Sequence, residues 1–214
     1  MNLSHITVNT QNSIRFAGTQ ILYFDPFEIM EERHDADVIL VTHQHFDHFQ
    51  PESIARIKKE ETMLIAPESM REKTITESGV SEDRCVFVRP GQEVSLETLT
   101  IAAVPAYNVG KTFHTKEKEW VGYVVRMDDV SYYVAGDTDA NPENETVSCD
   151  VALIPVGGHY TMDKEQAADF AVKLSPAAVI PTHYGSLIGN PTDGAEFKRL
   201  VEGKNNQIQV EIKL

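Results

Sequence analysis

Cysteine and basic residues are both scarce in this chain of 214 residues. The two cysteines, Cys85 and Cys149, are too few for a disulfide framework, and we expect both to be reduced and buried. Lysine and arginine number 19 against 33 aspartate and glutamate, which gives a net charge of −14. This charge disfavours binding to duplex nucleic acid, whose phosphates need a basic footprint, and to anionic membrane surfaces. A bound metal ion can still reverse the sign of the field within a cleft.

Long apolar runs are also absent, and none approaches the ~18 residues of a membrane-spanning helix. Residues 1–10 are polar and lack the basic and apolar segments of a secretion signal. We therefore expect a cytoplasmic protein without an integral membrane segment. The length, with 41% hydrophobic and 24% charged residues, predicts a single domain over residues 1–214. Assembly into a homo-oligomer is left open by the sequence.

Short apolar segments separated by turn residues predict many strands with helices after several of them. Val38–Val41 is a continuous apolar run, typical of a strand buried on both faces, and Pro51 is suited to the first position of a following helix. In the second half, Asp163 and Gln166 predict the capped start of another helix. Residues 208–214 are expected to form the last strand. This alternation predicts an α/β fold, in which sheets are covered by helices on their outer faces.

Three histidines and a carboxylate follow the Val38–Val41 strand directly: His43, His45, Asp47 and His48. Imidazole nitrogens and carboxylate oxygens are the usual ligands of Zn²⁺ and neighbouring transition metals. Because residues i and i+2 of an extended chain project to the same side, His43 and His45 can bind one ion. Asp47 and His48 come after a turn and can face a second ion. A solvated polar loop is the alternative, but such a loop has no need of three imidazoles.

Two later segments place further metal-binding side chains just after predicted strands. Asp137 lies in the sequence Gly-Asp-Thr-Asp, and its carboxylate could bridge two cations; His183 lies in Thr-His-Tyr-Gly. Each signal is weak alone, since Gly-Asp is common in turns and a lone histidine is commonly structural. The carboxyl ends of strands are where open sheets place their ligand crevices, so we expect these residues to meet the histidine cluster.

Together these motifs resemble the signature of the metallo-β-lactamase superfamily over nearly the whole chain. Within it, four segments resemble most closely the branch of the ascorbate-6-phosphate lactonases and the N-acylphosphatidylethanolamine-hydrolysing phospholipase D. These segments are Ser13-Ile14-Arg15, Asp25-Pro26-Phe27, residues 104–108 (Val-Pro-Ala-Tyr-Asn) and residues 155–158 (Pro-Val-Gly-Gly).

The resemblance implies a four-layer αβ/βα sandwich with its site at one edge, between the sheets. It implies that His43 and His45 bind one metal ion. The second ion would be bound by Asp47, His48 and His183, and Asp137 would bridge the two. The implied cofactor is one or two divalent ions, with zinc the first choice and manganese or iron as alternatives.

One departure from the superfamily pattern concerns the first metal ion. The phospholipase branch reads Pro-Ala-Leu-His where this chain reads Pro-Ala-Tyr-Asn, so Asn108 stands in place of an expected histidine ligand. An amide oxygen is a weaker ligand for Zn²⁺ than imidazole. His114, six residues on, could replace the missing ligand or could instead face substrate or solvent. The first site is therefore expected to be weak, empty, or completed by His114.

Other side chains near these motifs have simpler interpretations. Trp120, at the start of a strand, is expected in the core. His159 and Tyr160 follow two glycines and either line the mouth of the cleft or form a turn before the next helix.

The leading functional hypothesis is a metal-dependent hydrolase that uses a metal-bound hydroxide. The resemblance to the lactonase and phospholipase branch implies a small-molecule substrate, an anionic ester, phosphodiester or lactone. Asp47 would orient the nucleophile or move its proton. Asn108 motivates a second hypothesis, a metal-binding sensor or a catalytically weak family member. A nuclease is a third hypothesis, which the net charge of −14 disfavours.

Overall fold

The computed structural model describes all residues 1–214 and contains thirteen strands and four α-helices. The strands are β1 (Ile6–Thr10), β2 (Ser13–Ala17), β3 (Ile21–Phe24), β4 (Ala36–Leu40), β5 (Lys58–Pro67), β6 (Cys85–Val88), β7 (Glu93–Ser95), β8 (Thr100–Pro105), β9 (Val121–Met127), β10 (Val130–Val134), β11 (Val151–Pro155), β12 (Ala178–Thr182) and β13 (Gln209–Val210). The helices are α1 (Pro51–Ile57), α2 (Arg71–Glu77), α3 (Lys164–Leu174) and α4 (Asp193–Lys204). None of the helices combines the length and the apolar character that crossing a membrane requires.

The strands form two sheets, one from each half of the chain. The first sheet has the order β1-β2-β3-β4-β5-β6, and the second has the order β13-β12-β11-β10-β9-β8-β7. Each sheet begins with antiparallel neighbours and ends with parallel ones, β3 to β6 in the first and β10 to β13 in the second. Since parallel strands need crossover connections, the helices fall within these parallel parts.

The sheets pack face to face, and the helices cover their outer faces. Along β10, Tyr132 and Val134 belong to the cluster of 24 buried residues between the sheets, whereas Tyr133 packs with α3 and α4 on the outer face. The outer face of the first sheet packs similarly against α1 and α2. This strict alternation follows from the two-residue period of a strand. The predicted four-layer αβ/βα sandwich is confirmed.

Most predicted elements are present with small shifts at their ends. Pro51 is the first residue of α1, and Asp163 and Gln166 form the reciprocal capping box at the start of α3. The expectation of a last strand over residues 208–214 was too long, because β13 comprises only Gln209–Val210. Its neighbour β12 contains Pro181, which has no amide hydrogen with which to extend the ladder.

Both cysteines are free, as expected, but each is half-buried rather than fully buried.

Candidate metal centre

The side chains predicted to bind metal lie together at one edge of the two sheets. His43, His45, Asp47 and His48 follow β4, Asp137 follows β10, and His183 follows β12. The Nε2 atoms of His48 and His183, 135 residues apart in the chain, are 3.2 Å apart. Asp137 Oδ1 lies 3.3 Å from His48 Nε2 and 3.2 Å from His183 Nε2.

Two groups of three side chains each converge at this edge. One consists of His43, His45 and His114, and the other of Asp47, His48 and His183. In each group the candidate ligand atoms lie within 4.8 Å of one another, and the same holds for a third set, His43, His48 and Asp137, which joins the two.

Asp137 lies between the two groups and directs one oxygen toward each. Its Oδ1 faces His48 and His183. Its Oδ2 is 3.3 Å from His114 Nε2 and 4.0 Å from His43 Nε2. A carboxylate placed in this way can contact two cations at once.

Asn108 lies on the far side of the His114 ring from the centre. Its Oδ1 accepts hydrogen bonds from the backbone N–H and Nδ1 of His114 at 3.2 and 3.1 Å, and its Nδ2 donates to the Tyr160 carbonyl at 2.8 Å. These bonds fix the orientation of the amide and place the His114 proton on Nδ1. The lone pair of His114 Nε2 is then directed toward Asp137.

Asp25 contacts His48 in the same way that Asn108 contacts His114, and the sequence alone did not predict this contact. This fully buried carboxylate accepts from His48 Nδ1, from the Thr42 backbone N–H and hydroxyl, and from Asn12 Nδ2, each at 2.7 Å. A histidine that donates one ring N–H to a carboxylate presents its other nitrogen in a fixed orientation. In the sequence, Asp25 stands out only as part of Asp25-Pro26-Phe27, a segment that resembles the lactonase and phospholipase branch. Its position at the end of β3, the parallel neighbour of β4, is a signal that could have identified it.

Close backbone contacts hold these segments in place. Gly136 has a φ of 65°, and a Cβ atom there would lie 3.0 Å from Thr42 Cβ, so glycine allows the end of β10 to approach the histidine loop. Gly157 is restricted by space alone, and more severely, because its Cβ would lie 2.2 Å from the carbonyl oxygen of His183. His183 itself adopts a left-handed φ of 57°, and its amide donates to the Gln11 carbonyl at 2.9 Å. Strained backbone of this kind persists where the surrounding structure requires it.

Burial and neighbouring charges set the ionisation of the centre. Burial, reinforced by His48, holds the pKa of His43 well below its usual value, and burial lowers the pKa of His45 to about 4. Burial opposes ionisation of Asp137, but the nearby His183 and His48 imidazoles outweigh it and lower the pKa of that carboxyl. His43 and His45 are therefore neutral and Asp137 is ionised at neutral pH, the forms that donate lone pairs to a cation.

The donor set fits a divalent metal ion. His114 Nε2 and Asp137 Oδ1 are buried and have no hydrogen-bond partner, although a polar group left in this state is costly. The His48 and His183 nitrogens face each other at hydrogen-bond distance. Imidazole and carboxylate ligands in this combination suit zinc and neighbouring transition metals.

A cleft of about 630 Å³ opens above the centre. Its walls include His45, Asp47, His114, Asp137 and His183 together with aromatic and aliphatic side chains from the surrounding loops. Tyr160 lines this cleft, as one of its two interpretations predicted, whereas the neighbouring His159 packs against Phe113 and does not line it.

Trp120 is buried, as predicted, but it also belongs to the surroundings of the centre. Its ring centroid lies 4.7 Å from that of His43, 4.9 Å from that of His45 and 5.4 Å from that of His114. The indole therefore packs against all three members of one group.

Comparisons with known proteins agree with this geometry. Residues 6–183 match the family described as the Beta-lactamase superfamily domain. The chain is 31% identical over 199 residues to a UPF0173 metal-dependent hydrolase of Thermococcus kodakarensis, with 87% of each chain covered. A crystal structure of a metal-dependent hydrolase from Parabacteroides distasonis superposes with a TM-score of 0.80 at 30% identity, covering 98% of this chain and 92% of that one. Igni18, a metallo hydrolase of Ignicoccus hospitalis, gives a TM-score of 0.78 at 25% identity, with 97% and 93% covered.

These relatives do not assign the chain to the lactonase and phospholipase branch, so that placement stays a prediction. They do confirm the wider resemblance. The chain belongs to the metallo-β-lactamase superfamily and, within it, to the family of UPF0173 metal-dependent hydrolases.

Proposed function

We propose that this protein hydrolyses a small ester, phosphodiester or lactone with two divalent metal ions, zinc being the first candidate and manganese or iron the alternatives. His43, His45 and His114 would hold one ion, and Asp47, His48 and His183 would hold the other. Asp137 would contact both, which the opposite directions of its two oxygens support. Ions held there would supply a water of lowered pKa and would stabilise negative charge that develops on the substrate.

The protein's own residues prepare the centre for this chemistry. Asp25 and Asn108 each accept a ring N–H, from His48 and His114 respectively, and so direct the opposite ring nitrogens inward. Both bonds use Nδ1, so in each ring Nε2 is the nitrogen that faces the centre, where its lone pair would bind a cation that takes the place of a proton.

Asp47 has the position of a residue that orients the nucleophile. Burial raises the pKa of its carboxyl, but hydrogen bonds from His183 and His48 outweigh burial and hold the pKa far below the usual range. Its Oδ2 lies 3.3 Å from His183 Nε2, and the side chain also reaches the cleft. An ionised carboxylate in this position accepts a hydrogen bond from the attacking water and aligns it with the substrate.

His114 supports catalysis over the sensor hypothesis. That hypothesis rested on the substitution at Asn108, and His114 lies where a third imidazole ligand would be needed. The nuclease hypothesis gains no support from the cleft, because Lys118 is its single lysine or arginine. The small-molecule substrate, the cytoplasmic location and any homo-oligomeric assembly stay predictions.

The observation that carries the proposal is the position of Asp137 between two groups of three ligands. To test it, the protein is purified without added metal, its ions per chain are counted by elemental analysis, and turnover of p-nitrophenyl esters, bis-p-nitrophenyl phosphate and a lactone is measured before and after chelation. We expect a ratio near two, loss of turnover with chelator, its return with Zn²⁺, Mn²⁺ or Fe²⁺, and no turnover by His48→Ala. Full activity of the metal-free protein would refute the proposal.

A further inference from the structure

Large apolar side chains are exposed around the mouth of the cleft. Of the nine exposed large hydrophobic side chains in the protein, four line it: Phe46 (65% exposed), Leu187 (51%), Tyr160 (38%) and Phe113 (37%). They come from four separate loops that surround the metal centre. A cluster of exposed apolar side chains beside a polar site is typical of a ligand-binding surface. We call these four side chains the apolar rim.

Parts of the apolar rim are held by aromatic packing. The rings of Phe113 and Tyr160 meet edge to face, with centroids 4.6 Å apart, and the His159 ring packs against both. Phe46 packs edge to face on Phe27 at 5.8 Å. These side chains present preformed apolar surface, so a ligand would lose little free energy in ordering them.

Metal ions aside, the side chains of the cleft offer little that would bind a highly charged substrate. The ammonium of Lys118 donates to the Phe113 carbonyl at 2.8 Å and lies 4.2 Å from the Trp120 ring centroid. Outside the cleft lining, Lys111 is bound to Asp139 and to a backbone carbonyl. Recognition of a phosphate monoester normally uses arginine or several donors, and the cleft lining contains neither arginine nor a second lysine.

We propose that the substrate is an uncharged carboxylic ester or lactone whose apolar acyl part lies against the apolar rim. This inference rests on the proposed hydrolase function, narrows its substrate class, and replaces the anionic substrate expected from the sequence with an uncharged one. The oxygen of water bonds to the carbonyl carbon, the bond from that carbon to the alcohol oxygen breaks, and the alcohol oxygen takes up a proton. An ester gives the free acid, which ionises to the carboxylate at neutral pH, and the alcohol, whereas a lactone gives a single hydroxy acid. A cleft of about 630 Å³ is within the usual range for a small-molecule site.

The test uses the metal-loaded protein and p-nitrophenyl esters of acetate, butanoate, hexanoate and octanoate. Each methylene buried against the apolar rim should raise kcat/KM about fourfold until the cleft is filled. The substitutions Leu187→Ala and Phe46→Ala should flatten this dependence on chain length. Met30→Ala is the matched control, because Met30 is 77% exposed but does not line the cleft. Unchanged unfolding midpoints would verify that each variant is folded.

The outcomes separate this inference from the proposed function. Turnover that does not depend on chain length, or faster turnover of bis-p-nitrophenyl phosphate than of the hexanoate ester, would overturn the inference and leave the hydrolase assignment intact. If none of the esters, the lactone and bis-p-nitrophenyl phosphate is hydrolysed, the proposed hydrolase function fails as well. Calorimetric binding of hexanamide without binding of acetamide would then still support an apolar ligand site. If Leu187→Ala instead dissociates an oligomer and leaves the chain-length dependence unchanged, the apolar rim is a subunit interface and the inference is wrong.

Discussion

Replacing Asp25 by asparagine tests whether a buried carboxylate orients the histidine centre. In the native protein the Oδ2 atom accepts from His48, Asn12 and the Thr42 hydroxyl, and the Oδ1 atom accepts from the Thr42 amide. The amide of Asp25→Asn has a single acceptor oxygen. The amide can take two orientations. In the better one, its oxygen takes the place of Oδ2 and keeps the hydrogen bonds from His48, Asn12 and the Thr42 hydroxyl. The new NH₂ group then takes the place of Oδ1 and faces the Thr42 N–H.

The structure sets two separate magnitudes for this substitution. Two N–H groups left facing each other in a fully buried site should lower the free energy of unfolding by about 1–3 kcal/mol. The bond from His48 changes from a charge-assisted to a neutral one and orients the ring less firmly. Loss of such an orienting partner typically weakens metal binding tenfold to a hundredfold, about 1.4–2.7 kcal/mol.

Metal affinity is the decisive assay, measured by competition with a chromophoric chelator on native and substituted protein. Asp35→Asn is the matched control, because Asp35 accepts from Arg15 and Tyr23 but contacts no residue of the metal centre. We expect Asp35→Asn to leave the metal Kd unchanged. A folded Asp25→Asn protein that binds metal within threefold of the native Kd would refute the view that Asp25 orients His48.

Three further substitutions and one titration test other contacts of the protein. Asn108→Ala removes the acceptor that orients His114 and should weaken the binding of one of the two ions tenfold to a hundredfold. Elemental analysis after dialysis should then find about one ion per chain. Gly136→Ala should lower the free energy of unfolding in urea by at least about 1–2 kcal/mol, because alanine must adopt a left-handed φ against Thr42. Phe16→Ala, at a fully buried ring between the sheets, should cost about 3–5 kcal/mol by the same assay. Since Trp120 is the single tryptophan and contacts three candidate ligands, Co²⁺ should quench the intrinsic fluorescence in a saturable titration, whereas an unchanged spectrum would contradict binding at that group.

The local sequence pattern was sufficient to predict the four candidate ligands that lie closest together in the chain. His43, His45, Asp47 and His48 lie within six residues after a buried strand, so spacing alone indicates that they share a centre. Asp137 and His183 carry much weaker signals. They could be predicted because the carboxyl ends of parallel strands meet at one edge, a property of topology rather than of either residue.

Contacts between distant side chains could not be predicted in the same way. Whether His114 or Asn108 faces the centre depends on the conformation of the loop between β8 and β9, which has no periodic pattern. The Asn108 amide decides it through two hydrogen bonds to His114 and one to the Tyr160 carbonyl, from a separate loop. The contact of Asp25 with His48 likewise depends on the pairing of β3 with β4. The apolar rim combines four loops, none of which is unusual by itself.

The candidate ligands of the metal centre come from both sheets. Asp25, His43 and His48 come from the half of the chain that forms the first sheet, and Asp137 and His183 come from the half that forms the second. Neither half alone holds either candidate group in full, because His114 completes the group of His43 and His45, and His183 completes that of Asp47 and His48. Metal binding would therefore stabilise the packing of one sheet against the other, and its free energy would add to that of the 24 buried residues between them. Two buried atoms at this boundary, His114 Nε2 and Asp137 Oδ1, have no hydrogen-bond partner within the protein. Both belong to the second half of the chain, and they face His43 and His48 of the first half.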